Sequence, residues 1–269
     1  MLNLNLMDIF SFNPLLFAAF LLTLMRVSLV VFMLPVFGAQ SLPVAGKAAL
    51  CIVFTLAVFP GLSFDGSLFP AHPFSLVIML LSEILLGLIL GMCIQFLFAG
   101  MQTGGQLLAY QMGFTMMNIA DPLTGQQEPV TSHLLYMVAL LTFMTLNGHL
   151  LMLRALSDSF ALIPPGGLVV SDVLTRQVFS LSAGMFVIAV KIAAPVMGAL
   201  FLTELALALM GRAAPQMNIM VLGFPLKIGI GMFFLGILFM VMADRIRAFI
   251  VEMGPMFLHI LRAASPLFN

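Results

Sequence analysis

The stretch VFSLSAGMFVIAVKIAAPVMGALFLTELALALM, Val178–Met210, decides the fold class. It carries Lys191, Glu204 and no other charge. About 33 residues at ~1.5 Å each give roughly 50 Å of helix, longer than the ~30 Å apolar core of a bilayer. Pro195 stands near its middle, so a kink or break is expected there. Backbone groups in lipid must bond internally, which leaves helices or closed barrels. A barrel needs segments of about ten residues that alternate apolar and polar, and none is present. The chain is predicted to be all-α.

Apolar runs of this kind recur on both sides. Leu15–Phe37 contains Arg26, Ala48–Phe64 is short and uncharged, and Phe74–Ala99 holds Glu83. Leu134–Leu153 contains Asn147, Gly148 and His149. Ile219–Ala243 follows the opening stretch, and Phe249–Ala264 is short and amphipathic. Six crossings are expected. Arg154, Arg176, Arg245, Arg247 and Arg262 then lie on the side of both termini, against Lys47 and Arg212 opposite, which favours cytoplasmic termini.

Composition agrees. Of 269 residues, 62% are hydrophobic and 7% charged, against about 25% charged in a soluble domain. Mean hydropathy is +1.20. Ten basic and ten acidic residues cancel, so nothing points to nucleic acid. Cys51 and Cys93 sit far apart in apolar runs, with no disulfide or zinc pattern. No basic residue precedes Arg26, which argues against a cleavable signal peptide.

Arg26, Glu83, Lys191 and Glu204 each interrupt an apolar run. A charge at mid-membrane costs several kcal/mol unless it is paired or hydrated. Three readings fit: structural neutralisation, such as Arg26 with Glu83; an ion or proton pathway; or pairing with partner proteins. A charge swap at Arg26 and Glu83 tests the first. GLILG (Gly87–Gly91) and GMQTG (Gly100–Gly104) have the spacing that lets helix backbones approach closely.

From Gly100 to Asn118 there is no charge at all. The segment holds Gln102, Gln106 and Gln111, with Met101, Met112, Met116 and Met117. Amides donate and accept without fixing a charge, methionine fills irregular space, and Gly104, Gly105 and Gly113 free the backbone. Asp121-Pro122 is a turn signal. The segment suits either a deformable, uncharged surface or a re-entrant loop packed in protein.

The stretch GGQLLAYQMGFTMMNIADPLTGQQEPVTSHLLYMVALLTFMTLNGH, Gly104–His149, resembles the FliR family of flagellar type III export-gate components. The resemblance extends to ALSDSFALIPPG (Ala155–Gly166) and to RVSLVVFMLPVFG (Arg26–Gly38). It implies assembly with FliP and FliQ homologues into a helical, cone-shaped gate, with FlhB and FlhA homologues as further partners and unfolded flagellar subunits as cargo. It implies a multi-pass protein of the bacterial inner membrane, within the flagellar basal body. It divides the single domain into a FliP-like part over residues 1–177 and a FliQ-like helical hairpin over 178–269. Much of such an assembly sits above the bilayer, so some apolar runs would face protein rather than lipid. A loop of this family contributes to the plug that closes the channel. That plug maps here to Gln106, Tyr110, Gln111, Met112, Gly113, Phe114, Met116, Met117 and Asn118.

Catalysis is not expected. His72, His133, His149 and His259 are scattered, and no phosphate loop, cofactor motif or nucleophile constellation can be read. A secondary transporter is the alternative, since interrupted helices with buried ionisable groups are its signature; no repeated half supports it.

Overall fold

The structure is a computed structural model that describes residues 14–38, 43–62, 73–114, 129–216 and 218–266. Among these residues every regular element is helical. In chain order they are α1 (Pro14–Met33), α2 (Pro35–Gly38), α3 (Val44–Val58) with a 3-10 turn at Phe59–Gly61, α4 (Pro73–Met112), α5 (Val130–Thr145), α6 (Gly148–Leu162), α7 (Asp172–Ala213) and α8 (Ile219–Ala264). Five helices are long and apolar enough to cross a membrane, and the α5–α6 pair brings the number to six if it counts as one span.

Four expectations are corrected. The Gly/Gln segment after Ala99 is not a re-entrant loop up to Met112: it is the C-terminal part of α4, a single helix of 40 residues. Gly104 and Gly105 cost helix propensity, but each is packed against a neighbouring helix, which offsets that cost. The run Leu134–Leu153 is not one helix: it is broken between Thr145 and Gly148. Asn147 makes the break with φ 57°, a left-handed backbone that asparagine tolerates better than most residues. Of the kink or break expected near Pro195, the break does not occur: α7 runs through the proline as one helix of 42 residues. Proline removes one N–H from the ladder, and the carbonyl it leaves open belongs to Lys191, an exposed residue. Finally, Ile219–Ala243 and Phe249–Ala264 are one helix of 46 residues. Asp244, Arg245 and Arg247 are exposed on it rather than forming a loop between two elements.

The chain divides into two compact units, and α4, α7 and α8 contribute to both. The first comprises residues 1–95, 147–181 and 251–269. In it α1 lies along α4. A Cβ on Gly87 would stand 2.8 Å from the Leu29 Cβ, and one on Gly91 would stand 2.5 Å from the Met33 Cβ. One turn further, Gln95 Nε2 donates to the Met33 carbonyl at 2.7 Å. The small residues of GLILG therefore seat α1. Phe20 packs edge-on against Phe59 at 5.6 Å between centroids, which closes α3 onto α1. Ser171 Oγ donates to the Ala263 carbonyl at 2.8 Å, and the Val169 N–H donates to the Ala264 carbonyl at 3.0 Å.

The second unit comprises residues 96–146 and 182–250. Here GMQTG seats α7: a Cβ on Gly100 would be 2.9 Å from the Met185 carbonyl oxygen, and one on Gly104 would be 3.1 Å from that of Ala189. Gly105 turns to α5, where its added Cβ would be 2.8 Å from the Ser132 nitrogen. Thr131 Oγ1 donates to the Gly105 carbonyl at 2.8 Å, and Ser132 Oγ donates to that of Gln102 at 3.0 Å. Phe98 packs edge-on against both Tyr136 and Phe143. In the same unit α7 and α8 form an antiparallel hairpin. Gly211 faces Ile219, and Leu207 faces Gly223 one turn further on.

Candidate functional site

Two polar constellations lie in these apolar surroundings. The first is the ion pair between Arg26 and Glu83, both with fully buried side chains. Nε donates to Glu83 Oε2 at 2.6 Å and Nη2 to Oε1 at 2.9 Å, a bidentate pair. Nη1 donates to Ser159 Oγ at 3.2 Å, and both terminal nitrogens donate to the Ile163 carbonyl at 3.3 Å. All five guanidinium N–H groups therefore have acceptors. The Gly166 N–H donates to Glu83 Oε1 at 3.1 Å. The Phe160 ring lies 4.2 Å from the guanidinium carbon. The cluster joins α1, α4 and α6 to the IPPGG loop after α6. Gly166 has φ 78°, which suits glycine, and its open side is filled by Met79.

The second constellation is where the end of α4 meets the hairpin. Met112 is fully buried, and a Cβ on Gly231 would lie 2.5 Å from its terminal methyl, so the side chain occupies a notch that only glycine leaves open. Gly113 ends the helix at φ 86°, 2.8 Å from the Phe224 ring at the position of an added Cβ. Gln111 Nε2 lies 3.4 Å from Glu204 Oε2, and Lys227 Nζ donates to Glu204 Oε1 at 2.5 Å. A cleft of ≈ 270 Å³ opens beside the pair, lined by Leu207, Ile219, Gly223 and Phe224 among others.

Gln106, Gln111 and Phe114 are half-buried, Tyr110 is exposed, and Met112 is an internal contact. Met116, Met117 and Asn118 lie outside the described residues. Arg26 and Glu83 meet. Lys191 and Glu204 do not pair, and Lys191 is not buried: it is exposed and makes no ion pair among the described residues. The ion-pair partner of Glu204 is Lys227, because the hairpin turns at Pro215 and Gln216, midway between them. That register was available in the turn signal at Pro215, and Lys227 is the residue that sequence reasoning missed.

These features define a class: an all-α protein of several membrane-spanning helices, fastened by a buried ion pair and by glycine contacts. Residues 17–253 match the family Bacterial export proteins, family 1, and the chain belongs to that family. It is 32% identical over 208 residues to the flagellar biosynthetic protein FliR of Escherichia coli (strain K12), covering 77% of this chain and 79% of that one. To FliR of Bacillus subtilis (strain 168) it is 33% identical over 221 residues, 80% and 83% of the two chains. Yop proteins translocation protein T of Yersinia pestis is 29% identical over 226 residues, 82% and 86%.

Proposed function

We propose that this chain is a structural, channel-forming subunit of a flagellar type III export gate in the bacterial inner membrane. Similarity to flagellar biosynthetic proteins over about four fifths of the chain carries the proposal. In this reading it works by opening and closing rather than by bond chemistry. Its partners are FliP, FliQ, FlhA and FlhB homologues, and its cargo is unfolded flagellar protein. The α7–α8 hairpin supports assigning residues 178–269 as the FliQ-like part, with residues 1–177 as the FliP-like part. Only 28% and 22% of the most apolar windows of α7 and α8 are buried within the chain, which leaves extensive surface for partner helices or lipid.

The gate in this reading is the segment Gln106–Asn118. A conduit for varied unfolded chains has no use for a shape-specific pocket or strong fixed charges, yet it must stop ions when idle. Soft thioethers seal by packing and dewetting, then yield. Met112 and Gly113 anchor the segment on α8, and Met116 and Met117 supply the seal. Replacing Met112, Met116 and Met117 by alanine raises passive ion leak severalfold in membranes that carry the assembled gate, while export persists. A triple variant as ion-tight as the parent contradicts the assignment.

A further inference from the structure

Lys191 stands on the outer face of α7. Ala189, Ala193, Val196 and Leu200 are buried and mark the inner face. Lys191 is two residues from Ala189 and from Ala193, about 200° around the helix from each. Gly184 and Gly198 lie seven residues to either side of Lys191, so all three share one stripe to within about 20° per step. An added Cβ at Gly184 or Gly198 would meet nothing within 4 Å. Exposed Val187 and Leu202 flank the stripe.

The lysine has no countercharge within reach on its own helix. Arg176 and Glu204, the nearest charges along α7, are each roughly 20 Å away along the axis, too far for its side chain to pair with either. The hairpin register carried from Glu204–Lys227 sets Lys191 level with Met240, one turn from Asp244. Asp244 is itself exposed, and no ion pair joins the two. A lone ammonium in an apolar span costs several kcal/mol unless a countercharge meets it. Glycines on the same stripe let another backbone come close enough to bring one.

We infer that the Gly184–Lys191–Gly198 face of α7 docks an apolar helix of another gate subunit, one that carries a single Asp or Glu at mid-span to pair with Lys191. The inference rests on the chain being an assembled gate subunit. The test uses cells that produce the whole gate, with a tag on this chain. A photo-crosslinker at Gly198, in a chain otherwise unchanged, captures a helix of another subunit. The variant K191E lowers the co-purified partner at least about tenfold, as like charges meet, and K191M lowers it less. Exchanging the carboxylate of the captured helix for lysine restores assembly to K191E. Crosslinks to lipid alone, or K191E assembling like the parent, overturn the docking face while leaving the gate reading intact. A parent chain recovered without any partner overturns both.

Discussion

Replacing Arg26 by methionine destabilises the chain by about 3–5 kcal/mol, the cost of leaving one member of a buried pair uncompensated. Glu83 is fully buried and keeps one other donor, the Gly166 N–H. The variant R26M therefore fails to accumulate, or unfolds at much lower denaturant in mixed micelles. The double variant R26M/E83M regains part of the loss, because it removes the stranded charge; the Ile163 carbonyl and Gly166 N–H stay without their partners. The swap R26E/E83R, which the sequence alone offers as a test of the pair, recovers little and does not decide it, because the surroundings of the pair are not symmetric. It would set a carboxylate against the Ile163 carbonyl and a guanidinium against the Gly166 N–H, two repulsive contacts with fixed backbone dipoles. An R26M chain within about 1 kcal/mol of the parent contradicts the structural role assigned to the cluster.

The second large effect is expected at Gly105. An alanine there would place its Cβ on the Ser132 backbone, with the Thr131 carbonyl oxygen 2.9 Å away. Backbone cannot swing aside as a side chain does, so α5 must separate from α4. Overpacking of this kind costs about 1–3 kcal/mol. The bonds from Thr131 Oγ1 and Ser132 Oγ are lost as well, at about 1 kcal/mol each. Gly229→Ala on α8 is the internal comparison, since nothing lies within 4 Å of its added Cβ. Thermal unfolding of both variants checks this: G105A falls well below the parent and G229A stays with it. Equal behaviour of the two contradicts the packing described for Gly105.

Much of the fold is legible in the sequence, because few physical constraints are stronger than the need of an apolar chain to satisfy its backbone. The apolar runs locate the long helices, and the GLILG and GMQTG spacings locate close helix contacts. Their partners are a different matter: nothing local says that Gly87 and Gly91 meet α1 whereas Gly100 and Gly104 meet α7. Helix ends are misread where a residue has two possible uses. Gly105 reads as a residue that frees the backbone and acts as a contact surface inside α4. Asn147 reads as one polar residue in a span and is the corner between two helices. Arg245 and Arg247 read as lying between two helical segments because charge interrupts the apolar run, yet exposed helix accommodates charge equally well.

The site divides in the same way. The need of Arg26 and Glu83 for countercharges can be read from their apolar surroundings. The contributions of Ser159, Ile163 and Gly166 cannot, since they depend on how the IPPGG loop folds back. Glu204 invites a basic partner, but Lys191 shares its apolar run whereas Lys227 lies across the turn. Because α7 is continuous, Lys191 and Glu204 stand roughly 20 Å apart along it, and the hairpin brings Lys227 to Glu204 instead.

The measurement that bears most directly on the account is the assembly state of the chain in its own membrane. A tagged copy is drawn from cells that make every gate component, and the mass of the intact particle is determined. The account predicts a discrete hetero-oligomer in which this chain is held by other helical subunits. A lone polypeptide in its micelle, stable by itself and binding a small solute, would contradict it.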